Sequence, residues 1–174
     1  VDAGGGCVDY PSYEAAYRAV GECIAKASRP MVYHVSCAGD FGSVDWGTSV
    51  GNFCRTSPDV SAAVPTVYWD STDYNLMKTF DMNCRRPENT KPGGFNDMDA
   101  LMLTGGLSDV ENVSYFTIFC MEASPLMLSV DLPNIDDRTL EIISNAEVIA
   151  INQDPVCHQA VNCLLYTSDA ADDK

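Results

Sequence analysis

Pro92-Gly93-Gly94-Phe95-Asn96-Asp97-Met98-Asp99 is the stretch that decides the fold. A glycine turn leads into a short strand-like run, and the run closes on two carboxylates. The pattern recurs along the chain. Asp2 closes the first such run, and Val50-Gly51-Asn52-Phe53-Cys54-Arg55 is followed at once by Thr56-Ser57-Pro58-Asp59. Met31-Val32-Tyr33-His34-Val35-Ser36-Cys37 is β-branched and apolar without a helical stripe, which predicts a buried strand. Pro125-Leu126-Met127-Leu128-Ser129-Val130 predicts another.

Between these runs the periodicity becomes that of helices. Pro11 suits the first turn of a helix to Ala27, with Tyr13, Ala16, Tyr17, Val20, Ile24 and Ala27 at helical spacing. A glycine-rich loop carrying Phe41 and Trp46 follows Cys37. Val60 to Phe80 can form a helical segment broken near Pro65, and a polar loop runs from Asp81 to Pro92. Ser108 and Asp109 are good caps for a helix to about Glu122, and Asp136 to Ser144 reads as a final helix before Val148-Ile149-Ala150-Ile151. Strands alternating with helices imply an α/β fold with a parallel sheet. Strand ends near residues 2, 37, 55, 97 and 129 correspond to roughly the second half of a TIM (β/α)8 barrel, over residues 1–162. A half barrel has open edges and an unfilled interior, so it is expected not to form a stable monomer by itself.

Composition excludes more than it selects. The chain has 174 residues, enough for one domain with a sizeable core, and a formal charge of −15. That charge opposes nucleic acid and anionic membrane as partners, and no apolar run reaches the length of a membrane span. Residues 163–174 do not continue the preceding periodicity. They resemble the translation, in one reading frame, of a sequencing-library adapter, and are set aside from the fold; the alternative is a genuine acidic tail. The remaining cysteines are numerous for a cytosolic enzyme and lean towards an oxidising compartment, secreted or lysosomal. Cys37 and Cys54, each at a strand end, are the best internal disulfide candidates. Cys23 and Cys120 fall on apolar helix faces, where buried thiols are expected. Asn112-Val113-Ser114 is an N-glycosylation acceptor pattern.

In a βα-repeat fold the C-terminal strand ends converge on one face, so aspartates far apart in sequence meet in one pocket. Two of them there are the minimum equipment for work on a glycosidic bond. Asn96-Asp97-Met98-Asp99 also looks like part of a calcium loop, but the other ligands and the terminal Glu are missing, so neither metal nor cofactor is expected. No Cys-x-x-Cys pair supports zinc. His34, in mid-strand, reads as a satisfied core histidine, and His158 carries no chemistry.

From about Val1 to Gln159 these motifs resemble the C-terminal half of the catalytic barrel of family 27 glycoside hydrolases, the α-galactosidases and α-N-acetylgalactosaminidases. The most specific pieces are Pro92 to Asp99, Ser124-Pro125-Leu126 with Asp131-Leu132, and Glu147-Val148-Ile149-Ala150-Ile151-Asn152-Gln153-Asp154-Pro155. Arg29-Pro30-Met31-Val32-Tyr33 and Arg55 with Asp59 match as well. The resemblance implies a retaining enzyme acting on a carbohydrate with a terminal α-galactoside, and admits a homodimer.

It implies roles residue by residue. Asp2 resembles the nucleophile, with Cys7 close behind it among the substrate-contacting positions; alignment on Cys7 alone puts Gly5 there instead and leaves no catalyst. Asp59 resembles the acid/base, although spacing alone reads it as an exposed salt bridge to Arg55. Arg55 and Asp99 resemble the family's sugar-contacting residues, and Phe41 is a candidate apolar wall. After Ser36-Cys37 the galactose-specific members carry Glu-Trp, whereas this chain has Ala38-Gly39, which leaves room at the sugar's 2-position. α-N-Acetylgalactosaminide and β-L-arabinopyranoside therefore stand as alternative substrates. A non-catalytic galactose-binding relative is the alternative function; it would keep Arg55 and Asp99 and could dispense with Asp2. An unrelated substrate on the same barrel is the remaining reading.

Overall fold

The structure is a computed structural model that describes residues 10–60, 76–103 and 107–161, with side chains from Tyr13 onward. Strands β1 (His34–Val35), β2 (Phe53–Arg55) and β3 (Phe95–Asp97) form a parallel sheet in that order. His34 lies beside Phe53 and Phe53 beside Phe95; Val35 pairs with Cys54, Cys54 with Asn96, and Arg55 with Asp97. Successive strand residues point to opposite faces, so this register sorts the side chains. Val35, Cys54 and Asn96 share one face and are fully buried. His34, Phe53, Arg55, Phe95 and Asp97 share the other.

The first face is covered by helices. α1 (Tyr10–Ala25) matches its predicted span and buries Tyr13 and Tyr17 against Tyr33, Val35 and Trp46. The Tyr17 hydroxyl donates to the Ser36 carbonyl at 2.8 Å. The glycine-rich segment predicted as a loop holds a helix, α2 (Ser43–Val50). Its glycines mislead because they serve packing: a Cβ on Gly47 would lie 2.1 Å from the Cys54 sulfur, so only glycine lets α2 lie this close to β2. Trp46, expected on that loop, is buried in the helix and donates its indole N–H to the Phe41 carbonyl.

A second core gathers Leu76, Met98, Leu101, Tyr115, Phe119 and Ile142. It is built by α3 (Leu76–Asn83), α4 (Asp109–Met121) and α5 (Asp137–Ile143). α3 is the last part of the predicted Val60–Phe80 segment; residues 61–75 lie outside the described residues. α4 starts on a capping box: the Ser108 hydroxyl accepts from the Glu111 amide, and the Glu111 carboxylate accepts from the Ser108 amide at 2.7 Å. The Val148–Ile151 run, beyond the predicted final helix, is itself helical in α6 (Ala146–Asn152), because Asn145 Oδ1 accepts from the Glu147 and Val148 amides. The strand predicted over residues 125–130 is reduced to one parallel bridge, Leu101 with Leu128. No helix among the described residues is long and apolar enough to cross a membrane.

Three cysteine and glycan expectations need correction. Cys37 and Cys54 do not form a disulfide; the Cys54 thiol donates to the Ser43 carbonyl at 3.3 Å. The register explains why. Cys54 faces Val35, two residues short of Cys37, so the two cysteines are not cross-strand partners. Burial, and then the neighbouring Cys37, push the Cys54 thiol up to about 12, which keeps it un-ionised and unreactive. Cys120 is buried as expected, with its thiol pushed up to about 11 by burial, but Cys23 is exposed. Asn112 is buried inside α4, where the folded protein cannot carry a glycan.

A buried polar network ties the last described segment to the sheet. Glu122 is fully buried; its Oε2 accepts from Asn83 at 2.9 Å and from Gln159 at 2.6 Å. Gln159 Oε1 in turn accepts from Thr90 and from Asn96 of β3, at 2.8 and 2.9 Å.

Two predictions concern stability, both in the complete protein. Gly47→Ala is expected to lower urea-unfolding stability by about 1–3 kcal/mol, and Cys54→Ala in the same chain to recover part of it. An additive double variant would contradict the proposed contact. Burial raises the Glu122 carboxyl above its ordinary value, outweighing its hydrogen bonds, so the folded state holds that proton more tightly than the unfolded state. The Glu122 contribution is therefore full below the ordinary carboxyl range and is lost as pH rises through the raised value. The stability difference between Glu122→Gln and wild type is expected to grow in the variant's favour from about pH 4 to pH 7. A difference flat in pH would count against it.

Candidate active site

Arg55, the last residue of β2, carries a guanidinium that cannot discharge and is only 6% exposed. It must therefore be paired where it lies. Its Nη2 donates to the Ser57 carbonyl at 3.1 Å and lies 3.1 Å from Asp59 Oδ1 and 3.1 Å from Asp99 Oδ2. Two of the aspartates singled out in the sequence thus converge on one cation.

The two partners differ. The Asp59 side chain is 89% exposed, while that of Asp99 is 19% exposed. Asp59 is thus both the exposed salt bridge that spacing alone suggests and the residue free to meet a ligand from solvent. Asp99 is fixed on every side. Its φ is +85°, a conformation L-residues avoid. Its amide donates to Asp97 Oδ1 at 2.9 Å, its Oδ1 accepts from the Ala100 amide, and its Oδ2 accepts from the Val60 amide, each at 2.8 Å.

Ala38 borders this cluster through its neighbour. A Cβ on Gly39 would stand 2.5 Å from the Thr56 carbonyl oxygen, so the Ala38-Gly39 turn lies directly against the backbone that follows Arg55. Phe41 goes elsewhere. Its ring stacks on Tyr13 of α1, centroids 3.8 Å apart and planes 10° from parallel, which commits one of its faces to the helix layer. Asp2, Gly5 and Cys7 lie outside the described residues.

Sequence reasoning missed two residues. Asp97 was read only as a strand-closing carboxylate, yet it holds the Asp99 amide. His34 is not a satisfied core histidine: its side chain is 40% exposed and its Nε2 lies 2.7 Å from Asp97 Oδ2. The signal was the two-residue alternation, which puts His34, Arg55 and Asp97 on one face of the sheet.

The chain is similar to known proteins over most of its length. The family described as alpha galactosidase A matches residues 3–154. The chain belongs to the alpha galactosidase A family. Among relatives of this α-galactosidase family, a Dictyostelium discoideum protein named as a probable alpha-galactosidase is 37% identical, over 80% of this chain and 34% of the relative. Alpha-galactosidase I from Mortierella vinacea superposes with a TM-score of 0.77 at 30% identity, covering 90% of this chain and 43% of that one. An alpha-galactosidase from Saccharomyces cerevisiae, solved with raffinose, superposes with a TM-score of 0.72 at 27% identity, covering 86% of this chain and 36% of that one. The chain spans about a third of the length of the curated family members it matches. Its parallel α/β sheet is the same as part of their fold.

The geometry separates the two carboxylates by their effect on stability. Asp59→Asn is expected to change unfolding free energy by no more than about 1 kcal/mol, because an exposed pair is screened. Asp99→Ala is expected to cost about 3 kcal/mol or more, since it strips the buried guanidinium of its sheltered partner. Denaturant titration of both variants checks this; equal losses would contradict the asymmetry.

Proposed function

We propose that this chain is part of a retaining glycosidase that removes terminal α-D-galactosyl residues from oligosaccharides, glycoproteins or glycolipids. The observation that carries the reading is the Arg55 cluster: a buried guanidinium joining an exposed and a sheltered aspartate at the ends of adjacent parallel strands, in a chain of the α-galactosidase family. Residues 1–162 supply the second half of a (β/α)8 barrel on this reading, with the active site at the C-terminal strand ends.

In the proposed mechanism Asp2 attacks the anomeric carbon and holds the sugar covalently until water releases it. Asp59 gives its proton to the departing oxygen and then takes one from the incoming water. Its exposure leaves it accessible to a leaving group that extends into solvent. Asp99 accepts from ring hydroxyls, and its pairing with Arg55 holds that carboxylate in place. The raffinose found with the yeast relative supports a saccharide substrate. Cysteine content and family resemblance support an exported protein, secreted or lysosomal.

The test uses the complete protein and nitrophenyl glycosides. Hydrolysis of the α-galactoside is expected, and Asp2→Asn or Asp59→Asn is expected to lower kcat by about 10²–10⁴-fold. Preference for the α-N-acetylgalactosaminide would move the substrate and trace the change to Ala38. A folded protein that binds galactose and releases no nitrophenol would replace the enzyme with a non-catalytic galactose-binding relative.

A further inference from the structure

His34 has a position but no role in the reaction proposed above. It stands on the inner row of the sheet, its ring edge-on to Phe53 with centroids 6.2 Å apart, and Phe53 is 6.1 Å from Phe95. These rings form a floor one layer below Arg55 and Asp97, which pair at the strand ends. His34 Nε2 reaches up to Asp97 Oδ2 at 2.7 Å. The contact is a close polar one, short of the alignment of a full hydrogen bond.

Asp97 is 4% exposed and divides its oxygens between two tasks. Oδ2 faces His34, and Oδ1 accepts the amide of Asp99, whose φ of +85° has to be held by its surroundings. Rotating the Asp97 carboxylate would take the acceptor from that amide. The turn would then be free to relax, and the Asp99 carboxylate would swing off Arg55 and the Val60 amide.

The geometry points to His34 as a positioning residue: through Asp97 it fixes the left-handed Asp99 backbone and so the direction in which the Asp99 carboxylate faces a sugar hydroxyl. The assignment of a sugar to that carboxylate rests on the function proposed above; the His34–Asp97–Asp99 linkage does not. Because it acts on a binding contact, loss of His34 should weaken ground-state binding more than it slows turnover.

The experiment compares wild type, His34→Leu and His34→Gln in the complete protein by three measurements. These are deuterium uptake by the peptide containing the Asp99 amide, galactose Kd by calorimetry, and KM and kcat on nitrophenyl α-galactoside. In His34→Leu the uptake is expected to rise, and Kd and KM to rise together by about tenfold or more, with kcat changed less. His34→Gln, which restores a donor towards Asp97, is expected to recover most of each. Uptake unchanged in His34→Leu would overturn the proposal, as would equal effects of Leu and Gln accompanied by a common fall in Tm. If wild type hydrolyses nothing while uptake still responds to Leu and recovers with Gln, the glycosidase reading fails and the positioning role stands.

Discussion

A guanidinium stays charged at every pH a protein meets, and Arg55 is buried. Much of the local architecture follows from that constraint. The strand end of β2 supplies the charge, and the chain just beyond it must turn back so that the Ser57 carbonyl and Asp59 can reach it. β3 must end in register beside β2 and then depart through an unfavourable backbone conformation, so that Asp99 can approach from the other side. The Val60 amide is drawn onto the same carboxylate. One cation thus ties the end of β2 and the loop after it to the loop after β3, which is distant in sequence, and it leaves one carboxylate in solvent while sheltering the other.

The opposite face of the sheet meets a similar constraint with amides. Asn96 and Thr56 interleave with Arg55 and Asp97 along the strands, and their polar atoms point away from the Arg55 cluster. Thr56 donates to Asn83 Oδ1 at 2.8 Å, and Asn96 donates to Gln159. Asn83 and Gln159 both donate to Glu122. Each member bonds another, although the buried Asn96 Oδ1 is left without a hydrogen bond. Gln159 is thereby placed against α3, α4 and β3 at once. The same two-residue alternation that puts charge on one side therefore places the last described segment on the other.

Much of this was legible in the sequence, and the exceptions have physical causes. α4 and α5 were readable from their cap residues, and α1 from its apolar period with Pro11 in the first turn. β2 and β3 ended at Arg55 and Asp97, as their turn residues suggested. α2 was hidden because glycine signals both a loop and a close approach, and Gly47 is the second kind. α6 was hidden because Val148-Ile149-Ala150-Ile151 is as apolar as a strand, and only the Asn145 cap decides for helix. The disulfide expectation failed on register, since strand-end cysteines face each other only if the strands end level. In the site, Arg55, Asp59 and Asp99 came from motif resemblance. Asp97 and His34 needed the pairing of three strands, which no single segment contains.

The segment Ser36-Cys37-Ala38-Gly39 follows an unusual backbone path beside the Arg55 cluster. Ala38 and Gly39 both have positive φ, 53° and 80°, and the Asp40 amide donates to the Cys37 carbonyl at 2.8 Å. Positive φ at both central residues is the signature of a type I′ turn, which reverses the chain at once. Any side chain at position 39 would meet the Thr56 carbonyl oxygen at 2.5 Å and its carbon at 3.0 Å. An indole there is excluded by backbone, not by a movable neighbour. The reversal then sends Phe41, itself at φ 55°, onto Tyr13 of the helix layer. What borders the Arg55 cluster on this side is therefore the peptide backbone of Thr56 and Ser57 against Gly39.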